Sequence, residues 1–148
     1  MPSHLPIEVV PIEADGYHLV VMVEVNGFPA RMLVDTGASR SVFDINRLQG
    51  FFKKDIPELE ENIQKSTGLG TRDMHSKALY LDVLKIGELM IRRYPAVVLD
   101  LSHVNQSYEE LTLAPIDGVL GSDILMKYGA RIDYRKRLMR INLRRVRV

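Results

Sequence analysis

The sequence Leu33-Val34-Asp35-Thr36-Gly37-Ala38-Ser39 is the stretch on which the interpretation of this chain depends. Apolar residues lead into an acidic residue, and a hydroxyl residue and a glycine follow it. Glycine allows a tight bend that aims backbone N–H groups at the acid, and the Thr36 hydroxyl can hydrogen-bond neighbouring backbone. The stretch therefore predicts a loop that presents Asp35 for chemistry. Taken alone, however, Asp-Thr-Gly fits an ordinary turn better than an active site.

The residues just before this loop predict a β-hairpin. Residues 17–25 are rich in β-branched side chains, and Asn26-Gly27, which follows them, is the dipeptide that tolerates the positive φ angles of a tight hairpin turn. The returning strand is expected at residues 29–34. Asp35 would then stand where a strand passes into a loop, a junction from which functional side chains are often presented.

Further along, Pro and Gly separate short runs rich in Val, Ile, Leu and Tyr, which predicts an all-β fold with short helices. Apolar spacing in residues 44–64 predicts one or two short helices, interrupted by Pro57. Strands are expected at residues 78–84 and 90–99, and residues 102–115 are interpreted as a loop. The chain would finish as a short helix after residues 116–125 and a hairpin formed by residues 131–133 and 138–143.

Composition narrows the class of protein. With 148 residues and 46% hydrophobic content, residues 1–148 are expected to form one domain. The absence of cysteine excludes disulfides, thiol catalysis and Cys-based zinc sites, and it fits a reducing compartment. No apolar run is long enough for a membrane span and no export signal is apparent, so we expect a cytoplasmic protein without membrane partners.

Other site chemistries find little support in the sequence. His4, His18, His75 and His103 occur singly, so no metal site is expected, and no organic cofactor is implied. Ser39 lacks the Gly-x-Ser-x-Gly context of a serine hydrolase. The net charge of +1 argues against nucleic acid as a partner.

A second motif changes the interpretation of Asp-Thr-Gly. About 80 residues downstream lies Val119-Leu120-Gly121, with Asp123-Ile124-Leu125 behind it. Together the two motifs resemble the retropepsin-like (clan AA) aspartic protease family, and the resemblance extends over residues 17–143. It implies a closed β-barrel of the acid-protease fold with one lobe per chain. In that family the hydrophobic-hydrophobic-Gly element, here Val119, Leu120 and Gly121, passes behind the catalytic loop.

The resemblance also implies a reaction and an assembly. Aspartic proteases need two neighbouring carboxyl groups that share one proton and activate a water molecule to hydrolyse a peptide bond. This sequence contains a single Asp-Thr-Gly, and Asp15, Asp73, Asp117, Asp123 and Asp133 lack the Thr/Ser-Gly that should follow. Asp35 is therefore the catalytic candidate, supported by Thr36, Gly37 and Ala38, and a homodimer acting on an extended peptide or protein is expected.

Family members close a glycine-containing hairpin, the flap, over the substrate. Residues 65–78 are the candidate here, with Gly68, Leu69 and Gly70 at the tip, and the alternative is a plain surface hairpin. Ala38 stands where pepsins have Ser, which by resemblance implies activity nearer neutral pH. Compared with retroviral proteases, residues 44–64 and 99–115 are additional.

Two alternatives remain open. The same fold could serve as a catalytically quiet dimeric scaffold that binds peptides, since fold alone does not guarantee turnover. The last 14 residues hold seven Arg or Lys and could bind phosphates. Their alternation with apolar residues favours a strand with one solvated face. By resemblance this strand is also a candidate dimer element, which Ile7, Val9 and Ile12 would pair with.

Overall fold

A computed structural model of this chain describes residues 2–53, 60–62 and 76–146. Strands dominate these ranges, as the all-β prediction requires. The strands are β1 (Pro2–Pro6), β2 (Glu8–Glu13), β3 (Gly16–Val25), β4 (Phe28–Val34), β5 (Val42–Asp44), β6 (Glu60–Asn62), β7 (Ser76–Ile86), β8 (Leu89–Leu99), β9 (Gly118–Leu120), β10 (Arg131–Asp133) and β11 (Leu138–Asn142). The helices are a 3-10 turn at Leu48–Phe51, α1 (Ser102–Glu110) and α2 (Ser122–Lys127).

Six of the described strands form a closed barrel in the order β3-β4-β9-β5-β8-β7. The ring closes where β7 returns to β3, through the pairs Glu24↔Lys85 and Val25↔Leu84. Strand β2 pairs with the remaining edge of β3, and β6 pairs with β7. A separate three-stranded sheet, β1-β11-β10, packs Leu5, Met139 and Ile141 into the same apolar core as the barrel. The predicted closed barrel is confirmed.

The barrel has apolar contacts on both sides of β3. Leu19, Val21 and Val23 belong to the main core, whereas Val20 belongs to a second cluster that also contains Tyr108 of α1. Burying one large aliphatic side chain contributes roughly 1.5–3 kcal/mol, so two-sided burial stabilises this strand strongly. Strand β3 is therefore a firm base for the residues that follow it.

The hairpin between β3 and β4 forms as predicted. Asn26 and Gly27 have φ angles of 52° and 85°, the left-handed conformations that a two-residue hairpin turn requires. The Asn26 side chain accepts a hydrogen bond from the backbone N–H of Asp82 at 2.8 Å and donates one to the carbonyl of Phe51 at 3.0 Å. Asn26 thus links the turn to the seam where the barrel closes.

One prediction about local structure was confirmed in part, and another was wrong. The described part of residues 44–64 contains one short helix, the 3-10 turn at Leu48–Phe51, whereas Glu60–Asn62 forms a strand that pairs with β7. Residues 102–115, predicted as a loop, contain helix α1. Asp100 accepts the backbone N–H of Ser102 at 2.9 Å, which starts the helix and lowers the pKa of Asp100. Only Tyr108 of this helix is buried, so the sequence carried no apolar period.

The basic tail forms the predicted hairpin of β10 and β11, and β1 pairs with β11 on the other side. The expected partners of this tail are only partly right. The backbone N–H of Ile7 donates to the carbonyl of Arg137 at 2.8 Å, but Val9 pairs with Leu19 and Ile12 lies in the same strand as Val9. Across the described ranges, no helix has both the length and the apolar character needed to cross a membrane.

Candidate active site

Asp35 follows directly on β4, and the downstream motif holds it from behind. Met32, Leu33 and Val34 of β4 pair in parallel with Gly118, Val119 and Leu120 of β9. The backbone N–H of Asp35 continues this ladder, because it donates to the carbonyl of Leu120 at 3.0 Å. The two motifs that the sequence separates widely are therefore neighbouring strands, and the second one positions the first.

The carboxylate of Asp35 is only partly enclosed. Its Oδ1 accepts the backbone N–H of Gly37 at 2.9 Å, and within the described residues no other hydrogen bond reaches this carboxylate. The N–H of Ala38 donates to the carbonyl of Asp35 at 3.2 Å, which closes the loop as a tight turn. Asp35 is half-buried and Thr36 is exposed. The loop thus holds the acid in place, and the described part of the chain uses little of the hydrogen-bonding capacity of its carboxylate.

Gly121 brings the two motifs into direct backbone contact. A Cβ at this position would lie 2.8 Å from the carbonyl oxygens of Ala38 and Arg40, closer than real Cβ atoms approach. The fully buried Ala38 also accepts the N–H of Ser122 at 2.8 Å through its carbonyl. Glycine is required here for close approach, since its φ of −101° is accessible to any residue.

A buried polar network lies beneath this contact. The Ser41 hydroxyl donates to Oδ1 of Asp123 at 2.7 Å and accepts the N–H of Gly121 at 2.8 Å. The backbone N–H of Ser41 donates to the same carboxylate oxygen at 2.9 Å. The Tyr94 phenol lies near this network, and burial, with the nearby charge of Asp123, raises the pKa of Tyr94 far above its usual range. The network joins the end of the catalytic-candidate loop to the start of α2.

The sequence alone did not assign Ser41 or Tyr94 to the site. It offered Asp123 only as an acid that lacks the Thr/Ser-Gly of the catalytic motif. The one available signal was polar residues adjoining otherwise apolar runs. Nothing in their spacing links a serine before β5 to an aspartate at the start of α2, because the contact exists only once β9 lies beside β4.

A pocket of about 250 Å³ opens beside the Asp35 carboxylate. Strand β3 contributes one wall, and the hairpin of β10 and β11 contributes another. Its lining comprises Tyr17, His18, Leu19, Leu33, Val34, Asp35, Thr36, Ile132 and Tyr134. Tyr17 and Tyr134 are the most exposed of these large side chains, at 57% and 67% of their surface. Sequence analysis missed this lining, because residues 17, 18, 132 and 134 are far from residue 35 in the chain.

The flap candidates Gly68, Leu69 and Gly70 lie outside the described residues. Within the described ranges, no group of three or more His, Asp or Glu side chains is arranged to hold a metal ion. Among the described residues, the candidate site consists of the Asp35 loop, its β9 support and the adjoining pocket.

A larger concavity of about 540 Å³ lies against α1, and it has a different character. Asp44 at its base is 2% exposed, and its carboxylate accepts hydrogen bonds from the Leu101 N–H and the Asn105 side chain at 3.1 and 3.0 Å. Both nitrogens of Asn46 also donate to Asp44, at 3.1 and 2.9 Å. Nearby, Arg47 pairs with the buried Asp117 at 2.6 Å. Asp44 is therefore occupied in holding α1 to the barrel, and Asp117 in its pair with Arg47.

Comparison with known proteins agrees with this geometry. Residues 21–124 match the model of a family described as aspartyl protease. The chain is similar in structure to a retropepsin-like aspartic protease from Rickettsia conorii, with 21% identity, a TM-score of 0.54 and coverage of 95% of this chain and 94% of that one.

Two other solved structures share the fold. EIAV protease in complex with the inhibitor HBY-793 gives 21% identity and a TM-score of 0.56, with 84% of this chain and 99% of that chain covered. The retroviral protease-like domain of Ddi1 from Leishmania major gives 15% identity and a TM-score of 0.54, with 84% and 87% covered.

Proposed function

This chain belongs to the aspartyl protease family, and from that premise we propose that it is an endopeptidase that acts as a homodimer. Residues 1–148 would supply one lobe, and each lobe would contribute one Asp35. The observation that carries the proposal is how the Asp35 carboxylate is held and what it faces. It is held by β9 and Gly37, it receives one hydrogen bond from the described residues, and it faces a pocket.

The homodimer follows from the count of such acids. Peptide hydrolysis of this type requires two carboxyl groups a few Å apart, and the sequence has one Asp-Thr-Gly. A two-fold axis beside Asp35 would place a second copy of the same group opposite the first. The half-buried carboxylate and the exposed Thr36 lie on a surface that a second copy can approach.

In the proposed reaction the two Asp35 carboxyls share one proton, because two adjacent negative charges repel each other. The ionised carboxylate accepts a proton from water as the water oxygen attacks the peptide carbonyl carbon. The protonated carboxyl donates its hydrogen to the carbonyl oxygen, which is developing negative charge. The tetrahedral diol then collapses: the C–N bond breaks, the amine leaves with a proton from the carboxyl that took it from water, and the other carboxylate takes a proton back from a diol hydroxyl, so the pair again shares one proton. No covalent enzyme intermediate forms.

The expected substrate is an extended peptide, which can hydrogen-bond through its backbone to the edges of the cleft. Thr36, Gly37 and Ala38 would shape the loop, and Gly68, Leu69 and Gly70 would form a closing flap. Because Ala38 has no hydroxyl to donate to the acid pair, we expect activity nearer neutral pH than in pepsins. A cytoplasmic site of action remains part of the proposal, since a chain without cysteine suits a reducing compartment.

The test combines sedimentation with a peptide-library cleavage assay from acid to neutral pH. Wild type is compared with Asp35→Asn and with Asp15→Asn, which removes one exposed carboxylate in the turn between β2 and β3. Cleavage that rises with the dimer fraction, disappears in Asp35→Asn and persists in Asp15→Asn is the expected result. A stable dimer that cleaves nothing at any pH would favour the scaffold alternative, and a strict monomer that cleaves peptides would overturn the shared site.

A further inference from the structure

His18 joins the pocket beside Asp35 to the interior of the protein. It lies on β3 and is one of the residues that line the pocket. Its Nδ1 is 2.8 Å from the hydroxyl oxygen of Tyr108, and the two ring centroids are 5.8 Å apart. One nitrogen of the imidazole is therefore occupied from behind, and Nε2 is the nitrogen that a ligand in the pocket can use.

The burial of Tyr108 decides which nitrogen of His18 carries the hydrogen. Tyr108 is 1% exposed, and burial raises the pKa of its phenol, so the hydroxyl keeps its hydrogen. A buried hydroxyl hydrogen without an acceptor is costly. Within the described residues His18 Nδ1 is the one partner of this hydroxyl, so donation to Nδ1 is the arrangement that satisfies its hydrogen. The neutral imidazole then carries its hydrogen on Nε2.

The pocket provides a matching environment for a single side chain. Leu19 and Ile132 supply apolar walls, and the phenols of Tyr17 and Tyr134 are further hydrogen-bond donors at its exposed rim. No hydrogen bond to Nε2 comes from the described part of the chain. A volume of about 250 Å³ next to the reacting carboxylate suits one residue of a bound peptide.

We propose that His18, oriented by Tyr108, recognises a substrate side chain that ends in a carboxylate or carboxamide oxygen, to which Nε2–H donates a hydrogen bond. This inference rests on the proposed function, because it assigns the substrate preference of the same site. Tyr108 is the positioning residue, and His18 is the residue that contacts the substrate. Helix α1, an addition relative to the shorter retroviral proteases, thereby acquires a role in substrate choice.

The first test needs no catalysis. Spectra of ¹⁵N-labelled imidazole at a pH where His18 is neutral distinguish the two tautomers. Wild type is expected to show His18 as the Nε2–H form, and Tyr108→Phe, which removes only the hydroxyl, is expected to lose that preference. A wild-type His18 with its hydrogen on Nδ1 would overturn the proposal.

The second test measures peptide binding by the Asp35→Asn protein, so that turnover is not required. Three peptide series carry Glu, Gln or Met, side chains of similar length, at each position around the scissile bond. At one position we expect Glu and Gln to bind roughly three- to tenfold more tightly than Met, the value of one hydrogen bond. His18→Leu should remove the difference, Tyr108→Phe should reduce it, and His103→Leu, a change at an exposed histidine of α1, should preserve it.

Equal binding of Met, or a preference that survives in His18→Leu, would overturn the proposal. A His18→Leu protein that largely dissociates into monomers, and whose remaining dimer keeps the Glu and Gln preference, would also overturn the proposal. In that case the partner subunit, and not the substrate, would fill the pocket. A wild-type protein that cleaves nothing would contradict the proposed protease but leave both measurements decisive for His18.

Discussion

Asp35 and Asp44 are two acids at the ends of β4 and β5, which follow each other along the chain, and they differ in how many hydrogen bonds their oxygens accept. Asp44 ends β5, is 2% exposed, and accepts hydrogen bonds from Asn46, Leu101 and Asn105. Asp35 follows β4, is half-buried, and within the described residues accepts one hydrogen bond, from Gly37. Of the two, only Asp35 is followed by Thr-Gly, and nothing in the sequence around Asp44 indicates that its carboxylate is enclosed.

The contrast separates a structural acid from the acid that we propose as reactive. A carboxylate whose oxygens are already paired holds its neighbours together and has little capacity for a substrate or for water. Asp35 is positioned mainly through its backbone, by Leu120 and Ala38, so its side chain remains available. We expect substitutions at the two acids to have opposite consequences for stability and activity.

The largest expected effect is the loss of activity in Asp35→Asn. The amide cannot take a proton from water, so we expect cleavage to fall by at least about 1000-fold, at the upper part of the range for general acid–base catalysis. Because few protein contacts depend on this carboxylate, the free energy of unfolding should change by less than about 0.5 kcal/mol. Steady-state cleavage and urea unfolding measure the two quantities. An Asp35→Asn protein that is inactive because it is unfolded would show that Asp35, like Asp44, is needed for stability.

Asp44→Asn should have the reverse profile. The new NH₂ group would face the donors that Asp44 now binds, which leaves buried N–H groups of Leu101 or Asn105 without an acceptor. We expect the free energy of unfolding to drop by about 2–4 kcal/mol, with kcat of the folded fraction little changed. Urea unfolding at constant pH gives the first value. A variant as stable as wild type would show that Asp44 does not anchor α1.

Gly121→Ala examines the backbone support of Asp35. The added methyl group would meet the carbonyls of Ala38 and Arg40 at 2.8 Å, so we expect a loss of about 1–3 kcal/mol from overpacking and a reduced kcat. Gly50→Ala is the matched control, since no atom lies within 4 Å of its added Cβ. Thermal unfolding of both variants separates the effect of the close backbone contact at Gly121 from the effect of replacing any glycine by alanine. Equal effects in both would contradict the support role of Gly121.

The smallest effect is expected at Tyr94, which lies near the polar network behind the Asp35 loop. Its pKa is raised in the folded protein, whereas an unfolded tyrosine loses its proton near pH 10. Above about pH 10 the unfolded chain therefore binds fewer protons than the folded one, and stability falls as pH rises. Tyr94→Phe should lose about 1 kcal/mol near neutral pH and fall less steeply above pH 10. Parallel slopes in the two proteins would show that Tyr94 does not titrate abnormally.

The sequence was informative where one local rule decides the structure. Asn26-Gly27 predicted its hairpin because few residue pairs accept two positive φ angles, and the two family motifs predicted the barrel. Helix α1 escaped prediction because its attachment comes from one buried side chain, Tyr108, and from hydrogen bonds to the carboxylates of Asp44 and Asp100. The roles of Ser41, His18 and Tyr134 escaped for a related reason, since each depends on contacts between distant segments.

The parallel pairing of β4 with β9 also has a consequence for how the protein is made. During synthesis Asp35 emerges from the ribosome long before residues 118–120, and until they arrive its N–H has no Leu120 carbonyl to bind. Contacts between such distant segments form late, because the intervening chain must first be brought together. A nascent chain therefore has no organised Asp35 loop, and peptide cleavage would have to await the completed barrel.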